Sequence, residues 1–309
     1  MLLFEGIFPV LILAAAGYIA ARSEWLKMPE YVALAKFTFN LVIPCLLFIR
    51  MVHAEIPANF GVDFLMAFYL AVLSVYLISV VVAARLLKAN AAAQAVFAMG
   101  TTYSNTTVVG IPLVLQTLGQ DALLPLFLII ATQNLVLFTV GTLLAERERF
   151  DAQAVVQSLL RLCKQLLGSP LTSSLLAGLA FNLLGIPLYK PLDTTLSLMS
   201  EAAIPCALFI LGTTLHQYRV RSEIKPALLI TAIKLVLLPV LMTVTMVLVF
   251  DIEPLWAKTA VLAAAMPVGI NAYVFSMRYN TGQAPIAAAS VISAVISLIP
   301  MTLVLMLFP

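Results

Sequence analysis

The stretch Gly100-Thr101-Thr102-Tyr103-Ser104-Asn105-Thr106-Thr107-Val108-Val109-Gly110-Ile111-Pro112 is polar and hydroxyl-rich, yet apolar sequence flanks it on both sides. Pro112 has no backbone donor, and its ring clashes with the turn before it. In hydrocarbon, backbone groups freed from a helix must find partners in protein or in a wet cavity. The stretch therefore reads as a helix broken at membrane depth. A second one, Met266-Pro267-Val268-Gly269-Ile270-Asn271-Ala272-Tyr273, carries the same ingredients late in the chain. Paired interruptions in corresponding helices are the sequence mark of a transporter's binding site.

The surrounding sequence makes lipid the solvent. Of the 309 residues, 63% are hydrophobic and 10% charged, against roughly 45–50% and about 25% in soluble domains. A span needs about 20 mainly apolar residues. That criterion predicts an all-α membrane protein of about ten transmembrane helices, near 3–21, 31–50, 62–87, 92–117, 122–145, 168–187, 191–215, 226–249, 254–278 and 284–308. The first holds Glu5 and no basic residue before Arg22, so it reads as a span and not as a cleavable signal peptide.

Twelve of the 17 Lys and Arg residues fall in connections after odd-numbered stretches, while Arg50, Lys190 and Lys258 follow even-numbered ones. Basic loops stay in the cytoplasm, so both termini are expected outside, in the periplasm if the cell is bacterial. Ile43-Pro44-Cys45-Leu46-Leu47-Phe48-Ile49 matches Ile204-Pro205-Cys206-Ala207-Leu208-Phe209-Ile210 at six of seven positions, 161 residues apart. Five spans per copy turn the second copy upside down. The expected organisation is a first five-helix repeat over 1–145, a linker over 146–167 and a second, inverted repeat over 168–309. Apolar residues recur at helical spacing in the linker, with Gln153, Gln157, Arg161 and Lys164 largely on another face. That suits a helix on the cytoplasmic surface, against anionic headgroups.

The candidate substrate site comprises Asn105, Thr106, Gly110 and Pro112 at the first break and Pro267, Gly269 and Asn271 at the second. Half-helix N-termini expose unpaired N–H groups with partial positive charge, which suits a carboxylate. The plainer alternative is that the prolines kink helices and the asparagines act as interhelical glue. Lys234 sits in mid-helix, where burial of a charge costs about 3 kcal/mol or more. It either balances an anionic substrate or satisfies carbonyls freed by Pro239. Glu201 is the candidate for a coupling ion, a proton or sodium; the repeat offset pairs it with Asn40. Lys36, near a helix end, snorkels to the interface.

Other classes find no support. No HExxH, no intramembrane aspartyl pair and no GxxxxGK[ST] is present, so neither an enzyme nor an ATP-driven pump is indicated. No basic run points to nucleic acid. Cys45, Cys163 and Cys206 have no CxxC spacing, so no metal centre or disulfide framework is expected, and no cofactor.

The segments IPCLLF (43–48), SNTTVVGIPLV (104–114), IPCALFILG (204–212), KLVLLPVL (234–241) and MPVGINAYVFSMRYN (266–280), in this order and spacing, resemble the auxin efflux carrier family of permeases, relatives of the bile acid:sodium symporters. The resemblance runs through essentially the whole chain. It implies a scaffold domain from helices 1, 2, 6 and 7 and a transport domain from helices 3–5 and 8–10. Helices 4 and 9 would cross at their breaks and hold a small organic anion, with Asn105, Pro112, Pro267 and Asn271 at the family's positions. An elevator-like, alternating-access movement would carry the anion across. The short linker is similar to that of bacterial members that carry malonate or other carboxylates, which implies a multi-pass protein of the inner membrane. The alternatives are a sodium-coupled symporter of the bile-acid type and a membrane sensor or scaffold that retains the fold. The expected partners are the organic anion, the bilayer, a sodium ion or proton, and a second copy of the chain in a homodimer.

Overall fold

A computed structural model describes residues 2–54, 61–147, 164, 168–217 and 224–308. Among these the protein is all-helical, with no strand and one isolated antiparallel bridge, between Ser104 and Val268. In chain order the helices are α1 (Leu2–Arg22), α2 (Met28–Val52), α3 (Val62–Leu86), α4 (Ala91–Thr102), α5 (Thr106–Leu118), α6 (Leu123–Ala145) and α7 (Pro170–Leu183). There follow α8 (Lys190–Glu201), α9 (Ala203–Gln217), α10 (Ile224–Val249), α11 (Pro254–Ala265), α12 (Ile270–Arg278), α13 (Gln283–Ile296) and α14 (Leu298–Leu307).

Helices α2, α3, α6 and α10, and the segment Lys190–Thr213, are long and apolar enough to cross a membrane; α13 and α14, bent by 44° at their junction, make a sixth if taken as one span. At 1.5 Å per residue, the 25 residues of α3 cover the hydrocarbon with some to spare. One face of α3 shows why lipid must surround it. Val62, Met66, Leu70, Leu77 and Val81 are exposed, while Phe64, Ala67, Phe68, Ala71 and Val75 are buried. The chain is a multi-pass membrane protein. Of the linker expected over 146–167, only Glu146, Arg147 and Lys164 are among the described residues, and its amphipathic helix lies outside them.

Three interior prolines share one local solution. Each stands two residues after a five-residue wide turn: Pro44 after Thr38–Val42, Pro112 after Thr106–Gly110, Pro239 after Ile233–Leu237. In the first and third, the residue before proline donates its N–H five residues back, Ile43 to Thr38 and Leu238 to Ile233. The widened turn moves backbone carbonyls away from the proline ring, so the helix continues through it. Pro205 differs, since a turn at Ala202 ends α8 and α9 begins at Ala203.

The chain forms two compact units. Unit 1 comprises Met1–Ala58, Thr107–Phe127 and Lys164–Gln217. In it α1 packs on α9 and α2 on α7. The α1–α9 approach is backbone on backbone, for a Cβ on Gly212 would stand 1.8 Å from the Ala14 carbonyl oxygen. One end of this unit gathers the connections after α2, α5 and α7. There the Arg50 guanidinium donates to Gln120, His53 stands 3.5 Å from Asp193, and Asn182 Nδ2 donates to the carbonyls of Met51, Val52 and Ala54 at 3.0, 2.8 and 2.8 Å.

Unit 2 comprises Asn59–Thr106, Leu128–Cys163 and Tyr218–Pro309. At one of its ends Arg147 donates to Gln94 at 2.9 Å, the Tyr279 hydroxyl donates to Glu146 at 2.9 Å, and Arg278 lies 4.0 Å from Glu146. At the other, the rings of Phe64 and Trp256 meet edge to face and Lys258 Nζ donates to the Phe308 carbonyl at 2.8 Å. The start of α4, the C-terminal end of α6 and the C-terminal end of α12 thus meet at one end of unit 2.

Candidate functional site

Both interruptions are real breaks. Helix α4 ends at Thr102, residues 103–105 run extended, and α5 begins at Thr106; α11 ends at Ala265, and α12 begins only at Ile270. Tyr103 and Met266 leave their helices with ψ of 113° and 157°, in the extended region. Proline at 267 supports the second break, because it biases Met266 away from helical dihedrals.

Within unit 2 the two extended segments pair antiparallel. Gly269 N–H donates to the Tyr103 carbonyl at 2.9 Å, and Asn105 N–H donates to the Pro267 carbonyl at 3.0 Å. This exchange satisfies backbone that would otherwise be unpaired inside a membrane. Pro267 contributes only its carbonyl here, so its missing N–H costs nothing. Gly269 is required by the closeness of the strands: a Cβ there would lie 2.6 Å from the Tyr103 ring and 2.9 Å from the Ser104 carbonyl oxygen.

Polar side chains complete the crossing from two further helices. From α13, Ser293 Oγ accepts the Val268 N–H at 3.0 Å. From α6, buried Gln133 donates to the Ser104 carbonyl at 3.3 Å and accepts from the Thr106 hydroxyl at 3.5 Å. Its neighbour Asn134 closes a triangle. The Tyr103 hydroxyl donates to Asn134 Oδ1, and Asn271 Nδ2 donates to both Tyr103 Oη, at 2.7 Å, and Asn134 Oδ1, at 2.9 Å. Asn271 thus turns its NH₂ group toward Tyr103 and Asn134, whereas among the described residues neither its Oδ1 nor the NH₂ group of Asn134 has a hydrogen-bond partner. Asn105, Asn134 and Asn271 are half-buried, while Ser104, Thr106, Pro267, Val268 and Gly269 are buried.

The electrostatics alternate. Carbonyls at the ends of α4 and α11 bring partial negative charge to the crossing, and the first N–H groups of α12 bring partial positive charge. Fully buried Lys234 answers one of those carbonyls, its ammonium donating to Ala264 near the end of α11. The partner belongs to another helix and is not a carbonyl freed by Pro239.

Of the residues singled out in the sequence, unit 2 holds Asn105, Thr106, Pro267, Gly269, Asn271 and Lys234. Gly110 and Pro112 belong to unit 1, where they form the wide turn and the first α-helical turn of α5. Glu201 is also in unit 1, exposed at the C-terminal end of α8. Sequence reasoning missed Tyr103, Gln133, Asn134 and Ser293. The adjacent amides Gln133-Asn134, inside an otherwise apolar span, were a usable signal, since polar groups at that depth are expensive unless partnered.

Comparison with known proteins agrees with this picture. The family model described as "Membrane transport protein" matches residues 2–305. A "Putative malonate transporter" of Rhizobium meliloti is 28% identical over 302 residues, covering 96% of this chain and 92% of that protein. An "Uncharacterized transporter" of Methanothermobacter thermautotrophicus is 23% identical over 302 residues, covering 97% and 96%.

Proposed function

This chain belongs to the membrane transport protein family, the auxin efflux carrier permeases, and on that ground we propose that it carries small carboxylates such as malonate across the inner membrane of a bacterium. The observation that supports the reading most is the antiparallel crossing of two broken helices at Ser104 and Val268, with half-buried Asn105, Asn134 and Asn271 beside it. Such a place is dry enough to strengthen a charge-assisted hydrogen bond and already carries its donors.

In this reading one carboxylate oxygen takes N–H groups from the start of α12, beyond Gly269, and the NH₂ group of Asn134. Asn271 holds Asn134 and Tyr103 in position and offers its Oδ1 to a protonated or hydroxyl-bearing part of the substrate. Asn105 and Thr106 complete the wall at the first break, where Gly110 and Pro112 shape the start of α5. Lys234 lends positive charge from the end of α11. The relative's name supports malonate as the first dianion to try.

The proposed architecture is ten spans in two inverted five-helix repeats with periplasmic termini. It is supported by the Ile43–Ile49 and Ile204–Ile210 match and by the placement of basic connections. Alternating access would proceed by an elevator-like displacement of unit 2, which contains both extended segments.

The test is binding of a carboxylate panel to purified protein, with and without sodium and at two pH values, followed by counterflow in liposomes. Saturable malonate or related binding that weakens in Asn134→Ala is expected. Folded protein that neither binds nor exchanges any member of the panel would sink the proposal.

A further inference from the structure

Lys234 is fully buried in the wide turn Ile233–Leu237 of α10. Among the described residues it has no carboxylate partner, since the ion pairs there join His53 to Asp193 and Arg278 to Glu146. Its described partner is the Ala264 carbonyl. That carbonyl belongs to the last turn of α11, where orphan acceptors and the helix dipole concentrate negative charge. The environment sharpens the need for a cation. Ala263, Ala264, Ala265 and Met266 are all at most 1% exposed, so water cannot serve these acceptors, and within the backbone Met266 N–H answers only Ala263.

Carriers built on discontinuous helices commonly meet this need with a bound alkali ion, held by unwound carbonyls and half-helix C-termini. Here an ammonium on a four-carbon stem reaches the same kind of acceptor from a neighbouring helix, and it has three donors to give. We propose that Lys234 is a built-in cation that stands in for a coupling ion at the end of α11, so that the crossing holds together and binds its anion without sodium. The part about the anion rests on the crossing being the substrate site; the part about the cation does not.

The wide turn also acquires a purpose. Pro239 forces the widening of α10 two residues earlier, and Lys234 is the second residue of that turn. Residues in a wide turn project differently from those of a regular helix, which is how a lysine in mid-span comes to face a neighbouring helix end.

The experiment compares thermal unfolding of ligand-free wild type, Lys234→Arg and Lys234→Ala in sodium chloride and in choline chloride at equal ionic strength, with ethylammonium as an added probe. Wild type should melt at the same temperature in both salts. Lys234→Arg should stay close to it. Lys234→Ala, which leaves an open cavity at the carbonyls, should melt lower in choline and recover in sodium or ethylammonium. Stabilisation of the wild type by sodium would overturn the proposal, as would a Lys234→Ala protein that matches wild type and ignores both cations. If Lys234→Ala does not fold in any salt, the wild-type comparison still decides. Malonate affinity is then measured in the same salts. Equal wild-type affinity with and without sodium is expected, and a fall of about tenfold on removing sodium would overturn the sodium-independent part. Absence of malonate binding altogether, with the melting pattern as predicted, would count against the carboxylate reading alone.

Discussion

At the scale of single residues, the crossing depends on side chains with one job each. Gly269 is there for its missing Cβ, because two extended segments exchange hydrogen bonds across it. Gly269→Ala should cost roughly 1–3 kcal/mol through overpacking, read as a lower melting temperature, and should abolish substrate binding by parting the segments. Unchanged melting would mean that the crossing tolerates more separation than this geometry allows. Asn134 and Asn271 divide their work, as the NH₂ group of Asn271 faces Tyr103 and Asn134 while the NH₂ group of Asn134 has no partner among the described residues. Asn134→Ala should therefore lower carboxylate affinity by about tenfold, equivalent to about 1.4 kcal/mol, measured by calorimetric titration. An equal loss for every substrate, charged or neutral, would assign Asn134 to packing instead of anion recognition.

Among the elements, helix ends carry the burden that a soluble protein would leave to water. The C-terminal end of α2 is closed by one side chain, Asn182, whose Nδ2 reaches three carbonyls. Asn182→Ala should destabilise the protein by about 1–3 kcal/mol, the cost of leaving such acceptors unmet, visible in the melting of detergent-purified protein. Asn182→Ser should not restore the loss, since a hydroxyl is too short and has one proton. The prolines show how α2, α5 and α10 accommodate a proline and yet continue: each wide turn relieves the ring clash two residues before it occurs. At α4 and α11 no such repair is made, and the helices stop. The difference lies in partners, because each extended segment has the other to bond with.

For the whole molecule, the apolar exterior and the segregated helix ends make lipid the only medium that fits. With the native cysteines replaced, Arg85→Cys should react with an impermeant maleimide only after the cells are opened, and Asp121→Cys should react in intact cells. Reversed labelling would invert the orientation drawn from the basic residues. What the sequence made readable had a common physical basis. Hydrocarbon forces any span to be apolar, forces its backbone to satisfy itself, and makes every departure conspicuous. Hence the composition, the two interrupted stretches and the buried Lys234 stood out from the sequence, and so did Asn105 and Asn271. The partners did not. That Lys234 serves the Ala264 carbonyl, that Gln133 and Asn134 of α6 hold the first extended segment and Asn271 of α12, and that Ser293 receives the Val268 N–H depend on which helices become neighbours. Sequence alone determined a helical membrane carrier broken at two places, because the solvent imposes that locally on every residue. Only the tertiary structure decided what fills the breaks, because a hydrogen bond between residues 25 to 137 positions apart is written in packing and not in any one segment.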